Sequence, residues 1–557
     1  MNNLSLYRAP RKQGLLAFLL FLSLSVSTFA QTAAVSAKSS ITADEKRFSE
    51  QVKVSTIKEI TSTLSAPDMQ GRGTMQPGGD KAADYLARYM ATLGLKPLGD
   101  NGTYLQKIKF KETFAGPETS IRIGDEALKF GTDYYLLPVA NNDNIASGDV
   151  VFIGYGLVSD ALKRNDLAGV DLKGKIIMVL GGVPESLQND PVSKTKNTFG
   201  MVRMMIQKGA AGVLLLKNGR EQNGFAATAK YFTRRSVTME SSKPQVPQAL
   251  PPVLTLSDAA TEKLFVGSGM TFKEAKVAAD SNEFKPVTLK QTININIKYK
   301  TNSGTGSNVV GVMEGSDPTL KSEAVIFSAH YDAYGVENGK TYPGAADNAL
   351  GVAEMLSVAE AFGKHKVKPK RSLIFIAVTG EEYGLFGSKY WAQNPTWDIK
   401  KVAANLNLDG IGTEVYGPVK TFVGYGAEYS SLGGMMEDIA GSMEITVIPD
   451  PIPQEQVFYR SDHYSFVERG VPSLMLMGAP AGDMMVWMKK MEQFERTDYH
   501  EPGDIIRPDW NWEGARTVAL VMGIMGVRLS AAEKMPEWLP GSRFVKMERG
   551  YTGPVPQ

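Results

Sequence analysis

The chain has 557 residues, 43% of them hydrophobic, which is more than one compact core holds and predicts at least two domains. Its 61 Lys and Arg stand against 59 Asp and Glu, so no field of either sign emerges, which argues against nucleic acid as the main partner. The absence of cysteine excludes disulfides, thiolate metal ligands, a cysteine nucleophile and a lipid-modified cysteine anchor.

Residues 1–30 read as a secretory signal. Arg8, Arg11 and Lys12 precede the apolar run Leu15 to Val26, and Ser27-Thr-Phe-Ala30 is a small-residue cleavage site. Loss of those three cations turns a net charge of +2 into −1. The apolar run is shorter than the ~20 residues of a spanning helix. No later segment reads as long and apolar enough to cross a bilayer, so no stable membrane anchor is expected after cleavage. Residues 31–49 are small and polar and read as a flexible leader.

From Gln51 to Leu95 the pattern predicts two helices, the first ending near Leu64. The second places Ala83, Leu86, Met90 and Leu93 at helical spacing, with Gly94 as its C-cap. Between them, Gln70-Gly-Arg-Gly-Thr-Met-Gln-Pro-Gly-Gly79 lacks the lysine and hydroxyl of a phosphate loop and reads as a connection. Over residues 147–285, short β-branched runs such as Lys175-Ile-Ile-Met-Val-Leu180 and Ala211-Gly-Val-Leu-Leu-Leu216 alternate with turns and one helical stretch, Met201 to Gly209. This predicts a smaller β-rich α/β domain with no cluster of acids or bases of its own.

From Asn308 onward, strand-length apolar runs at 324–329, 373–379, 402–408 and 472–477 alternate with helical patterns, of which 349–362 places Leu350, Ala353, Leu356 and Ala359 on one face. The expected fold is α/β, with a mostly parallel, mixed sheet covered by helices on both faces, in a domain assembled from residues 50–146 and 286–535. Residues 536–557 form a tail. His365, within the basic turn Gly363 to Lys370, is expected to face solvent.

Acidic and histidine residues follow three of these strands at once. His330 comes after the first, Glu381-Glu382 after the second and Asp409 after the third, and Asp347 precedes the helix in between. Open α/β sheets bind ligands at the carboxyl ends of their strands, so these side chains are expected on one rim. His330 would ligate as a neutral imidazole, with Asp332 fixing its orientation. Taken alone, His330-Tyr-Asp332 reads more simply as a histidine at a strand end beside a turn aspartate. Asp347 could bridge two metals or cap a helix. Adjacent carboxylates are costly unless a cation is present or one holds a proton, so Glu382 suits a ligand and Glu381 a base for a metal-activated water. His500 could complete a second metal site, and Tyr499 could donate to an oxyanion. Imidazole and carboxylate donors without thiolate suit zinc, or cobalt or manganese, in an open hydrolytic site.

His330-Tyr-Asp332, Asp347-Asn348, Glu381-Glu382, Asn407-Leu-Asp409 and Tyr499-His500 together resemble the pattern of the dinuclear zinc aminopeptidases. These bacterial leucyl-type exopeptidases are related to glutamate carboxypeptidase and the transferrin receptor, and the resemblance runs from about Gln51 to Arg528. The 147–285 segment resembles their protease-associated domain. The resemblance implies a zinc exopeptidase-like fold and two Zn2+ ions, one held by His330 and Asp409, the other by Glu382 and His500, with Asp347 bridging. It also implies Glu381 as general base, Tyr499 and Arg460 as substrate or transition-state contacts, and a supporting role for His463. The implied partner is a peptide with a free N-terminus, cleaved in the periplasm or after secretion.

Two other enzymes share this scaffold: a glutaminyl cyclase-like transferase with a single zinc, and a carboxypeptidase. A non-enzymatic binding protein, as the transferrin receptor illustrates, would be expected to have lost ligands, and none is missing here. Oligomeric state and side-chain preference are not legible.

Overall fold

The most continuous apolar runs in the chain form the centre of a ten-stranded sheet. In chain order its main strands are β1 (Leu105–Ala115), β2 (Ser236–Met239), β3 (Tyr299–Met313), β4 (Ala324–His330), β5 (Ser372–Val378), β6 (Val402–Asn407), β7 (Val419–Tyr425), β8 (Thr446–Ile448) and β9 (Ser473–Pro480). They lie in the order β2-β1-β3-β5-β4-β6-β9-β7-β8, and the short strand Lys96–Pro97 pairs with β3. The computed structural model describes residues 41–137, 143–194, 197–221, 224–240, 250–480 and 484–556. The signal segment and residues 31–40 of the leader lie outside the described residues.

The three strands that carry the candidate site are adjacent and parallel. Ser372 to Val378 of β5 pair with Ala324 to His330 of β4, and β4 pairs on its other edge with β6. Every residue of β4, β5 and β6 is buried, which is why these strands read as unbroken apolar runs rather than alternating ones. Antiparallel pairs flank them, β3 against β5, β1 against β3 and β2 against β1 on one side and β7 against β9 on the other, where β8 runs parallel to β7.

Helices α1 (Ala43–Ser49), α2 (Val54–Leu64), α3 (Pro77–Thr92), α4 (Phe225–Phe232), α5 (Leu350–Lys364) and α6 (Trp512–Ala531) complete the frame. Ile57, Ile60, Val358, Val521 and Met525 belong to one core with Phe327 and Phe375 on one face of the sheet. On the other face, Trp391 and Phe466 pack against Ile326, Ile374 and Ile376. Helices therefore cover both faces, as expected.

A second, eight-stranded sheet holds Ile176–Leu180, Gly212–Leu216 and Val253–Leu256 as parallel neighbours. It extends past the expected 147–285 at both ends, through Ser120–Ile123 and Tyr134–Leu136 before and Val287–Ile297 after. No change in composition marks Lys298, where this sheet passes into β3. Conversely β2, inside the expected segment, pairs with β1 in the large sheet.

Three other expectations are corrected. Residues 43–49, expected within a flexible leader, form α1, with Phe48 buried in the main core. His365 is 5% exposed, with Nε2 3.2 Å from Asp44 Oδ2 and its ring edge-on to Phe48, because α1 folds back over the basic turn. One later segment, α6, is long and apolar enough to cross a membrane by length and composition. It is a core helix: Val518, Val521, Met522 and Met525 are buried, and Arg516 and Arg528 tie its flanks to the Ser49 carbonyl and to Glu45.

Candidate metal centre

The strand register brings three of the expected residues to one rim. His330 is the last residue of β4 and pairs with Val378, three residues before Glu381. Asp409 lies two residues past the end of β6. Asp347 comes from the turn Ala345–Ala349, entered through Gly344 at φ 57, and the Asp347–Asn348 peptide is cis. Asp347 does not cap α5; Asn348 does that work, accepting from the Gly351 amide at 3.0 Å. His500 arrives from beyond the helix Met484–Thr497, with φ 56.

These residues form two clusters that share Asp347. Nε2 of His330 lies 3.2 Å from Asp347 Oδ1 and 3.4 Å from Asp409 Oδ1. Nε2 of His500 lies 3.2 Å from Asp347 Oδ2 and 3.0 Å from Glu382 Oε2. Glu381 belongs to neither set, although its Oε2 is 3.9 Å from His330 Nε2. Glu382 Oε2 and Asp409 Oδ1 are buried, with no hydrogen-bond partner beyond these imidazole contacts. Carboxylate oxygens desolvated in this way beside an imidazole nitrogen suit a divalent cation, so the residues present fit two ions bridged by Asp347.

The electrostatics of the rim follow from burial against charge. Burial opposes protonation of His500, but Glu382 and Asp347 outweigh it and raise its pKa to about 9. His330 is likewise desolvated and is raised by Glu381, Asp409 and Asp347. Burial would push Asp347 up, yet hydrogen bonds and charge from both histidines hold it far below the usual carboxylate range. Glu381 rises well above its ordinary value through burial, reinforced by Asp462, Asp409 and Glu382 and opposed by His330.

The surroundings orient each group. Nδ1 of His330 donates to the main-chain carbonyl of Asp332 at 3.1 Å, which turns Nε2 toward the cluster. The Asp332 carboxylate lies 3.8 Å from that Nδ1 and accepts from the Glu381 amide at 3.2 Å and from the Thr74 hydroxyl at 3.2 Å. Burial raises Asp332 to about 7. Ser461 donates to Asp409 Oδ2 and accepts from Asn407 at 2.8 Å.

Two bracing residues escaped the sequence reading. Asp504 accepts from the amides of Ala346 at 2.8 Å and Asp347 at 3.0 Å, and burial raises it to about 7. Arg72, fully buried, donates to the carbonyls of Tyr331, Leu64, Pro343 and Gly344 at 2.5–2.7 Å. The glycine-rich loop read as a connection is thus a brace. Its Gly71, at φ 65, lies so close to the carbonyls of Tyr342 and Gly335 that a Cβ would fall 2.2 Å and 2.8 Å from their oxygens. A lone arginine among the glycines was the available signal.

The ring of Tyr499 stacks on His500 with centroids 3.8 Å apart. Burial and then Asp347 raise its pKa well above the ordinary value, partly offset by the charge of Arg460. Arg460 is exposed, with Nη1 3.8 Å from Glu455 Oε2. His463 joins neither cluster; burial pushes it down to about 4, against the charge of Asp409.

Residues 308–523 match the model of peptidase family M28. A probable leucine aminopeptidase 2 of Aspergillus oryzae is 28% identical over 228 residues, covering 38% of this chain and 42% of the relative, so the chain spans less than half of that relative's length. Among solved structures, an aminopeptidase from Aneurinibacillus sp. strain AM-1 superposes with a TM-score of 0.57 at 19% identity, over 88% of this chain and 97% of that one. A zinc aminopeptidase from Bacillus subtilis superposes with a TM-score of 0.50 at 18% identity, over 86% and 95%. The fold is the zinc exopeptidase fold that the sequence led one to expect, and all five members of the two clusters lie within residues 308–523, the part of the chain that matches peptidase family M28.

Proposed function

We propose that this protein is an exported, zinc-dependent aminopeptidase that hydrolyses the N-terminal peptide bond of peptides. The observation that carries the reading is the pair of clusters sharing Asp347, with a further carboxylate, Glu381, beside them and outside both sets. His330 and Asp409 would hold one ion, Glu382 and His500 the other, and Asp347 both. Bound there, two zinc ions would polarise the scissile carbonyl and acidify a water.

The chain's own residues supply the rest. Glu381 takes the proton of the attacking water and passes it to the leaving amine, so one carboxylate serves as base and then acid. The Tyr499 hydroxyl donates to the oxyanion, and Arg460 contacts substrate at the mouth. A rim this rich in carboxylates suits the ammonium of a free N-terminus. The segment 147–285 is read as a protease-associated domain, and residues 1–30 as the export signal.

The test is to load the purified chain with zinc, supply matched peptides with free and acetylated N-termini, and sequence the products from both ends. Release of N-terminal residues from the free peptide alone is expected. Trimming from the C-terminus, pyroglutamate formation, or no product from either peptide would overturn the reading.

A further inference from the structure

One contact on His500 comes from outside the strand ends that carry the other members of the clusters. Arg234 lies between α4, which packs on the second sheet through Phe232 stacked on Tyr135, and β2, which pairs with β1 in the large sheet. Its Nη2 donates to the main-chain carbonyl of His500 at 2.7 Å. Its guanidinium lies 4.1 Å from the ring centroid of Tyr334 and 4.6 Å from that of Tyr342, and the Tyr334 hydroxyl is 3.5 Å from His500 Nδ1. The next residue, Arg235, is fixed by Glu337 at 2.7 Å and Glu112 at 3.0 Å. Lys230 lies 3.5 Å from Glu501.

His500 needs such a hold. A left-handed backbone is unfavourable for a residue with a Cβ and persists where surrounding contacts over-determine it. The Tyr499 ring stacks on one side, and the carbonyl that leaves the strained residue is bonded to Arg234. Arg234, Tyr334 and Glu382 also line one cleft between the second sheet and the rim.

We infer that Arg234 is a positioning residue that sets the affinity of the metal position formed by Asp347, Glu382 and His500, so that the segment joining the two sheets governs occupancy of one ion and not the other. The inference rests on the two-metal reading above. Groups that orient metal ligands typically change affinity 10–100-fold when removed.

The test titrates zinc, against a chromophoric chelator, into the metal-free full chain, its Arg234→Met and Arg234→Lys variants, and a His500→Ala reference that marks which step belongs to this position. Arg234→Met is expected to weaken that step by about 10–100-fold and to leave the other within about twofold. Arg234→Lys, which can still donate to the carbonyl, should lose less at the same step, and it carries the test if the methionine variant does not fold. Equal weakening of both steps, or two unchanged steps, would reduce Arg234 to a packing residue. A wild-type chain without two steps would instead remove the two-metal reading itself.

Discussion

His330 reaches its cluster from the last residue of a central parallel strand and is 1% exposed, whereas His500 reaches the other from a left-handed residue beyond a helix and keeps 20% of its side chain exposed. The first cluster is braced by the Asp332 carbonyl on His330 and by Ser461 on Asp409. The second leans on a side chain, Arg234, from the segment that joins the two sheets. Two clusters with one shared carboxylate thus differ in what positions their histidines: strand register for His330, contact with a distant segment for His500. A strand end is over-determined by its ladder, while a residue fixed by a few distant contacts can be loosened by changing one of them.

The sharpest way to test that division is to remove Glu381, a rim carboxylate that belongs to neither cluster. Glu381→Gln keeps size and hydrogen-bonding capacity but cannot take a proton. Peptide hydrolysis is expected to fall by about 10²–10⁴-fold while both zinc ions remain, measured as turnover beside metal content. Loss of an ion with the activity would make Glu381 a ligand and collapse the distinction between the two sets.

How much of this was legible depended on whether a residue's partners are near in sequence. His330, Glu381, Glu382 and Asp409 follow apolar runs whose lengths and order placed them on one rim, and β4, β5 and β6 lie where those runs predicted. Arg72 and Asp504 were not legible as braces, because the carbonyls and amides they meet lie as far as 272 residues away. The role of Arg234 was hidden for the same reason, 266 residues from His500. Of the segment's limits, the end of the second sheet left no mark because Val287–Ile297 and β3 are separated by Lys298 alone. His365 was misread because a turn of lysines says nothing about the helix that covers it.

Arg72 offers the opposite perturbation to Arg234. It bonds the carbonyl after His330 and two carbonyls in the approach to Asp347, so it supports the first position and the bridge together. Burial lowers its guanidinium to about 10, against the pull of Asp504 and Asp332, so it stays charged at neutral pH. Arg72→Met leaves buried carbonyls without a donor and acidic neighbours without a cation, a loss of about 3–5 kcal/mol. Urea unfolding of the metal-free protein should show that loss, and the zinc titration should weaken at both steps. Weakening confined to one step would contradict the shared support of the two positions.

His463 supplies the smallest effect and separates a site of charge from a site of burial. His330 and His500 face carboxylates and are raised, while His463 is lowered to about 4 because desolvation outweighs the charge of Asp409. Its unfolded value is near 6.5. Between those two values the unfolded chain binds the extra proton, so stability is lost as pH falls from 6.5 through 4 and is fully present above that window. Taking pH 4.5 against pH 7, this one residue contributes about 2 kcal/mol of acid destabilisation. His463→Gln in the metal-free protein should shrink the difference between the two pH values by that amount in urea unfolding, whatever its own cost at pH 7. Metal must be absent, because acid would otherwise also release it from His330 and His500. An undiminished difference in the variant would mean that His463 is protonated in the folded state, and that the charge of Asp409 reaches past its own cluster.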